Sequence, residues 1–169
     1  MAEKGLSGAG SKRRARKAKQ VASYVLDSSV LVSSLVSSDE HHSEGARLIE
    51  DLLSNSEFTV YTSSIVPVEV SASVARRTRD REIAMLVTEQ LAKWIKLGRL
   101  KIDYLNLDRM NSASEIATKY FLKGMDAMIV QVAHERRIPI VTFDKEIANR
   151  IAPDIKSASY DEIRVSAGK

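Results

Sequence analysis

The stretch Gly124 to Lys145, GMDAMIVQVAHERRIPIVTFDK, decides the fold of this chain. Its first part has apolar residues at helical spacing and ends in two arginines, which suit the negative C-terminal end of a helix. Pro139 then blocks further helix, and the four residues from Ile140 are typical of a short strand buried in a parallel sheet. The stretch therefore predicts a helix that leads into a strand.

Two aspartates mark the ends of this helix and strand. Asp126 lies at the start of the helix, and Asp144 follows the strand. A helix of about ten residues spans about 15 Å, and the strand then returns in the opposite direction. Both carboxylates are therefore expected at the same edge of the sheet. This is the carboxyl edge of the strands, where open α/β folds bind their ligands.

Short strands alternate with helices along the rest of the chain. Further strands are predicted at residues 24–26, 58–61 and 100–105 and near Ile155. Helices are predicted over residues 28–36, 46–55, 63–74, 83–97, 108–121 and 145–151. This alternation indicates a parallel sheet with helices on both faces.

Composition limits the classes of function. The chain has 169 residues, of which 44% are hydrophobic, and this is enough for the core of one domain. There is no cysteine, which excludes disulfides, thiolate zinc sites and cysteine nucleophiles. The apolar runs are shorter than about 18 residues, and Asp27 interrupts the one that most resembles a signal-peptide core. We therefore expect a soluble cytoplasmic protein with no membrane contact.

Positive charge is concentrated at the N-terminus. Residues 1–20 contain seven lysines and arginines and one glutamate, a net charge of +6, so the rest of a chain with total charge +4 carries −2. This segment has almost no large apolar residues, and we expect a disordered basic arm that either contacts a polyanion or stays solvated. Residues 21–158 are expected to form the folded domain and residues 159–169 a C-terminal tail.

Four acids from separate parts of the chain are predicted to meet at the carboxyl edge of the sheet. Asp27 ends the first strand, and Glu69 lies in the helix after the second. Together with Asp126 and Asp144 they would repel one another, and a divalent cation removes this conflict. Oxygen ligands without a His or Cys cluster favour Mg²⁺ or Mn²⁺. Such a cluster supports hydrolysis of a phosphodiester.

Each acid also has a structural alternative. Asp27, Asp126 and Asp144 are each suited to a helix N-terminus, and Glu69 by itself would face the solvent. The joint placement of all four favours a site, because separate helix caps have no need to share one edge. The serine pair that follows Asp27 is suited to cap the first helix, to orient a carboxylate, or both.

Three segments resemble the PIN-domain nucleases, and in particular the toxin ribonucleases of the VapC type. These segments are YVLDSSVLV (24–32), IVPVEVSASVARR (65–77) and GMDAMIVQVAHERRIPIVTFDKEIA (124–148). The resemblance covers residues 23–155 and implies a three-layer α/β/α fold with a central, mainly parallel sheet. It also implies Mg²⁺- or Mn²⁺-dependent cleavage of RNA, a homodimer and, for a toxin, a cognate antitoxin that occludes the site.

The resemblance assigns roles to single residues. The acidic metal-binding positions of the family fall on Asp27, Glu69, Asp126 and Asp144, and its hydroxyl residue falls on Ser28. An asparagine is common two places after the first aspartate in the family, and here that position is Ser29.

The basic arm is not part of the family pattern. Its presence weakens the toxin assignment relative to a PIN-domain nuclease in RNA processing or ribosome association. A catalytically silent RNA-binding protein of the same fold is a further alternative.

The histidines and a cluster of arginines also have structural interpretations. His41 and His42 form an adjacent pair in a polar loop without a third ligand nearby, so we expect them to be solvated. His134 lies too far along its helix to reach the acidic edge. A basic cluster after the Glu69 helix is suited either to RNA phosphates or to a helix end. This cluster contains Arg76, Arg77, Arg79 and Arg81.

Overall fold

The computed structural model describes residues 21–166, which form one parallel sheet and the helices that cover it. The four strands are β1 (Ala22–Leu26), β2 (Phe58–Ser63), β3 (Leu100–Asp103) and β4 (Ile140–Val141). They lie in the order β3-β2-β1-β4, and every neighbouring pair is parallel. The basic arm of residues 1–20 and the end of the predicted tail lie outside the described residues.

Two helices connect each strand to the next, and two more follow β4. In chain order they are α1 (Ser28–Leu35), α2 (His42–Ser54), α3 (Val66–Thr78), α4 (Arg81–Lys96), α5 (Leu107–Tyr120), α6 (Gly124–Arg136), α7 (Lys145–Ile151) and α8 (Tyr160–Ser166). Parallel crossovers are right-handed, so α1 to α4, which lead from β1 outward to β3, cover one face. The α5–α6 pair returns to β4 over the other face. The predicted three-layer α/β/α fold is confirmed.

The core lies on both sides of β1, the strand flanked by β2 and β4. Val25 and Leu26 of β1 are fully buried, as is Ile140 of β4. Helix α6 buries residues around most of its circumference, which is typical of a helix packed between a sheet and another helix. Burial of α6 places its N-terminal turn, with Asp126, against the carboxyl edge of the sheet.

Gly45 allows α2 to pack closely on α1. A Cβ atom at this position would lie 3.0 Å from the backbone nitrogen of Ser34. A larger residue would therefore push the two helices apart, and α1 is the helix that follows the first acid of the sheet edge.

Three predicted strands are shorter than expected, and the first of them, β3, ends at Asp103 rather than at residue 105. β4 ends at Val141 rather than at Phe143, because the next polar groups bind side chains instead of a neighbouring strand: the Phe143 N–H donates to Ser29 Oγ. The strand predicted near Ile155 is a single bridge between Ile140 and Ser157.

The predicted C-terminal tail is wrong for residues 160–166, which form α8. Ile163 is fully buried and α8 contacts α2, so this segment is part of the domain. The predicted helix start at Ser63 also differs, since Ser63 ends β2 and α3 begins at Val66 with a proline in its first turn. Within residues 21–166, no helix is long and apolar enough to cross a membrane.

The chain reverses its direction across the sheet between β1 and β4. β2 and β3 are added on one side of β1, and β4 is added on the other. The carboxyl ends of β1 and β4 therefore lie where the order of the strands reverses, and open α/β sheets have their binding crevice at such a point. Asp27 follows β1 here, and Asp144 follows β4 by a few residues.

Candidate active site

A cleft of about 250 Å³ lies at the carboxyl ends of β1 and β4. We call it the acidic cleft, because its lining contains all four predicted acids, Asp27, Glu69, Asp126 and Asp144, together with the serine pair that follows Asp27. The structure therefore brings together residues that are up to 117 positions apart in the sequence. Their catalytic and metal-binding roles remain predictions.

Asp27 accepts hydrogen bonds from two hydroxyl groups, one in the first turn of α1 and one in the segment after β4. Its side chain is buried, and its Oδ2 accepts hydrogen bonds from Ser29 Oγ at 2.6 Å and from Thr142 Oγ1 at 2.7 Å. Asp27 is the N-cap residue of α1, but its carboxylate makes no capping hydrogen bond. The helix-cap alternative therefore does not account for this carboxylate, which is oriented toward the cleft by the two hydroxyls.

Thr142 is a residue beside the site that the sequence did not single out, as is Lys123 in the cleft lining. Its hydroxyl donates to Asp27 and accepts a hydrogen bond from the Asp144 N–H at 2.9 Å, so it links two of the four acids. The available signal was a hydroxyl residue within an otherwise apolar buried run, two positions before an acid. Ser29, which replaces the asparagine common in the family, keeps a polar role because it donates to the same carboxylate.

Glu69 lies in the first turn of α3 and points into the cleft. Its Oε2 is buried and has no hydrogen-bond partner among the described residues. Burial raises the pKa of Glu69, and the carboxylates of Asp27 and Asp126 raise it further. The Ser28 hydroxyl and the Arg76 guanidinium act in the opposite direction. The positive charge near Glu69 is therefore too small to balance its carboxylate. Glu69 also points into the cleft, so the alternative that it faces the solvent does not describe its position.

Asp126 is half-buried in the first turn of α6. Burial raises its pKa, and the nearby charge of Asp27 adds to the rise. Lys123 lowers the pKa of Asp126, whereas Asp144 and Glu146 raise it. The dipole of α6 favours a carboxylate at this position, yet the surrounding acids oppose its ionisation.

Asp144 combines a structural role with its position in the cleft. It is the N-cap of α7, and its Oδ1 accepts from the backbone N–H groups of Glu146 at 2.8 Å and Ile147 at 3.1 Å. The helix-cap alternative is therefore observed for Asp144. It does not exclude a second role, because a carboxylate has a second oxygen.

Two basic side chains, Arg77 and Lys123, also line the acidic cleft. Arg77 forms an ion pair with Asp39 in the loop between α1 and α2. Burial raises the pKa of Asp39, but hydrogen bonds from the His41 N–H, from the Ser33 hydroxyl and from Arg77 outweigh burial and hold that pKa below its usual value. Of the predicted basic cluster, Arg77 thus lines the cleft and Arg76 lies near Glu69.

The three histidines lie outside the cleft lining. His41 stacks on Phe143 with ring centroids 4.9 Å apart, and His42 Nδ1 lies 2.9 Å from the Ser33 carbonyl oxygen. His134 is exposed near the C-terminal end of α6, while Asp126 lies at the other end. These contacts assign the histidines to packing and to the surface.

The donor atoms of the cleft fit a divalent cation that prefers oxygen. Within residues 21–166, no three His, Asp or Glu side chains are close enough together to hold one metal ion. The cleft nevertheless offers carboxylate and hydroxyl oxygens, an unpartnered buried oxygen on Glu69, and two acids, Glu69 and Asp126, whose pKa values are raised by burial and by neighbouring carboxylates. A divalent cation compensates each of these features. The cleft therefore suits a divalent cation through the chemistry of its oxygen atoms, and the ligands are not already arranged around one point.

The fold and the cleft define an α/β domain with a carboxylate-lined cleft at the point where the sheet reverses. The PIN domain matches residues 24–152, and the chain belongs to this family, which is a family of nucleases.

Solved structures share the fold at low sequence identity. VapC20 of Mycobacterium tuberculosis, a toxin that cleaves the sarcin-ricin loop, has a TM-score of 0.62 at 19% identity, covering 80% of this chain and 98% of that chain. VapBC2 from Rickettsia felis, bound to a DNA fragment from its promoter, has a TM-score of 0.58 at 20% identity, covering 80% and 97%. PAE2754 from Pyrobaculum aerophilum has a TM-score of 0.61 at 16% identity, covering 88% and 92%. No curated protein matches this chain in sequence.

Proposed function

We propose that this protein is a Mg²⁺- or Mn²⁺-dependent endoribonuclease of the VapC toxin type, which hydrolyses RNA phosphodiester bonds in the acidic cleft. The observation that carries the proposal is that four carboxylates line one cleft, where burial and neighbouring acids leave the charges of Glu69 and Asp126 only partly compensated. Raised pKa values at Glu69 and Asp126, and the unpartnered Glu69 oxygen, are the physical signs of this imbalance. Protein sites with such an imbalance are frequently functional.

The four acids have different roles in the proposed site. Asp27, Asp126 and Asp144 hold the cation, and Glu69 either binds it or orients water. When bound, the cation increases the acidity of water and offsets the charge of the reacting phosphate. The hydroxyls of Ser29 and Thr142 keep the Asp27 carboxylate in one orientation. No side chain acts as a covalent nucleophile.

The Ser28 hydroxyl lies 3.4 Å from Asp27 Oδ1 and also interacts with Glu69. Because its hydroxyl interacts with both acids, Ser28 helps to orient their carboxylates in the proposed site. Arg77 and Lys123 also line the cleft and bind phosphates of the RNA in the proposed site, since phosphate contacts dominate nucleic-acid affinity.

The proposed toxin role implies two protein partners, an antitoxin and a second copy of this chain. VapBC complexes from Rickettsia felis and from nontypeable Haemophilus influenzae share the fold of this chain, and we propose a cognate antitoxin that occludes the cleft. We also propose a cytoplasmic homodimer. An exposed apolar segment at the start of α5 supports self-association, since Tyr104 and Leu107 are 70% and 69% exposed.

A role in RNA processing or ribosome association is the second candidate, and the net charge of +6 on residues 1–20 favours it. Induced expression in a bacterial host separates the two roles. A toxin arrests growth when the wild type is expressed but not when Asp126→Asn is expressed, and coexpression of the antitoxin restores growth. A processing enzyme leaves growth unaffected and changes the ends of particular RNAs.

Incubation of the purified protein with total RNA tests the proposed chemistry. We expect fragments with Mn²⁺ or Mg²⁺, none with EDTA and none with Asp126→Asn. Glu89→Gln, which changes an exposed acid of α4 outside the cleft lining, should cleave like the wild type. Cleavage that persists after both chelation and the Asp126 substitution would exclude the carboxylate and metal mechanism.

A further inference from the structure

Phe121 presents an aromatic side chain to the solvent beside the acidic cleft. It follows α5 and is 80% exposed. Together with Lys123, Asp126 and Asp144 it lines a small recess of about 20 Å³. The same Lys123, Asp126 and Asp144 also line the acidic cleft, so the recess is a continuation of that cleft. The ring of Phe121 is thus the aromatic surface at this end of the site.

The backbone of Phe121 is in the left-handed helical region, with φ of 55°. Arg79 and Arg137 end α3 and α6 in the same conformation, which therefore serves to close a helix in this fold although it suits glycine better than a bulky residue. It is held by a hydrogen bond from the Phe121 N–H to the Ala117 carbonyl and by Arg150, whose guanidinium donates to the Phe121 carbonyl. Arg150 is itself paired with Glu146 at 2.5 Å.

The structure offers no packing reason for a phenylalanine at this position. The next residue, Leu122, is the one that packs against the core, while the Phe121 ring remains in solvent. Glycine would close the same helix end without a Cβ atom in a left-handed conformation. The exposure of a large aromatic ring beside the acids of the cleft is therefore the reason to look for a functional role of this side chain.

We infer that Phe121 is a stacking platform for an unpaired nucleobase of the RNA substrate. Single-stranded RNA is recognised largely by stacking of bases on aromatic side chains, with basic residues bound to the adjacent phosphates. Lys123 is exposed two residues further on and provides such a contact beside the acids. The inference rests on the proposed ribonuclease function and narrows its substrate to single-stranded RNA or unpaired loops, because a base inside a duplex has no open face.

A binding experiment in the Asp126→Asn background tests the inference without cleavage of the RNA. The probe is a labelled single-stranded oligoribonucleotide that contains 2-aminopurine, whose fluorescence is quenched on stacking. We expect Phe121→Gly to lower the affinity about tenfold and to abolish the quenching, Phe121→Leu to behave similarly, and Phe121→Trp to retain both. A duplex of the same sequence should bind with equal affinity to the Asp126→Asn parent and to its Phe121→Gly variant.

Stability measurements separate this effect from misfolding. Phe121→Gly removes the left-handed strain, so its melting temperature should equal or exceed that of its parent while its RNA affinity falls. Leu97→Ala serves as a matched control, because Leu97 is an exposed apolar residue near the opposite, amino edge of the sheet. This control should leave RNA binding unchanged.

Equal affinity and equal quenching in the Gly, Leu and Trp variants would overturn the inference. If the otherwise wild-type Phe121→Gly protein then still cleaves RNA in a metal- and Asp126-dependent way, the proposed function stands without the stacking role. If the wild-type protein neither binds nor cleaves RNA, both proposals are overturned. A change in oligomeric size with unchanged RNA affinity would instead assign Phe121 to a protein interface.

Discussion

The substitution Glu69→Gln is expected to stabilise this protein when no divalent cation is present. A buried carboxylate oxygen without a hydrogen-bond partner costs about 1–3 kcal/mol. Glutamine keeps the shape of the side chain and removes its repulsion by Asp27 and Asp126. If about 1 kcal/mol is recovered, the melting temperature should rise by about 2–4 °C for a domain of this size.

The pH dependence of this gain follows from the raised pKa of Glu69. The native state holds a proton on Glu69 more tightly than the unfolded chain, so wild-type stability falls as pH rises from the ordinary value of 4.5 through the raised pKa. The full penalty applies above that range. The advantage of Glu69→Gln should therefore be largest at neutral pH and should shrink toward pH 4.5 and below.

Thermal denaturation in EDTA at several pH values measures this effect, with Glu89→Gln as an exposed control that should shift little. Mn²⁺ is then added at about ten times its dissociation constant, where linkage predicts about 1.4 kcal/mol of stabilisation for the wild type and less for Glu69→Gln or Asp126→Asn. A lower melting temperature for Glu69→Gln at pH 7, or a gain that does not depend on pH, would refute charge repulsion in the cleft. A wild type that is insensitive to both Mn²⁺ and Mg²⁺ would refute the metal site.

Three further perturbations test single contacts. Thr142→Val removes a hydroxyl that donates to Asp27 and should lower the RNA cleavage rate about 10–100-fold, while Thr142→Ser should restore it; equal rates for the two variants would contradict the positioning role. Gly45→Ala places a Cβ 3.0 Å from a backbone nitrogen of α1 and should cost about 1–3 kcal/mol in urea denaturation; an unchanged midpoint would show that the helices can separate freely. Glu135 has its pKa lowered to about 2, first by its hydrogen bonds from Arg109, so its stabilisation is present above pH 4.5 and is lost as pH falls toward 2. In Glu135→Gln, the free energy of unfolding should therefore decrease less between pH 4.5 and pH 2 than it does in the wild type. An equal decrease in the two proteins would contradict this role of Glu135.

The amino-acid sequence by itself determined the order and type of most elements, because these depend on local patterns. Apolar spacing, Pro139 and the short β-branched run located α6 and β4 within a few residues. Since parallel strands end at one edge of a sheet, the same patterns also placed Asp27, Asp126 and Asp144 together. The C-terminal helix α8 was missed, since it is short and its one fully buried residue, Ile163, gives no periodic signal.

Only the tertiary structure decided which polar groups meet at that edge. Asp103 also ends a parallel strand there, yet it forms two hydrogen bonds with Arg136, at 2.5 and 2.6 Å, and takes no part in lining the acidic cleft. Thr142 reaches the Asp27 carboxylate across 115 positions of sequence. Such contacts depend on how packed helices and strands are oriented relative to one another, and a local pattern of residues carries no information about partners so distant along the chain.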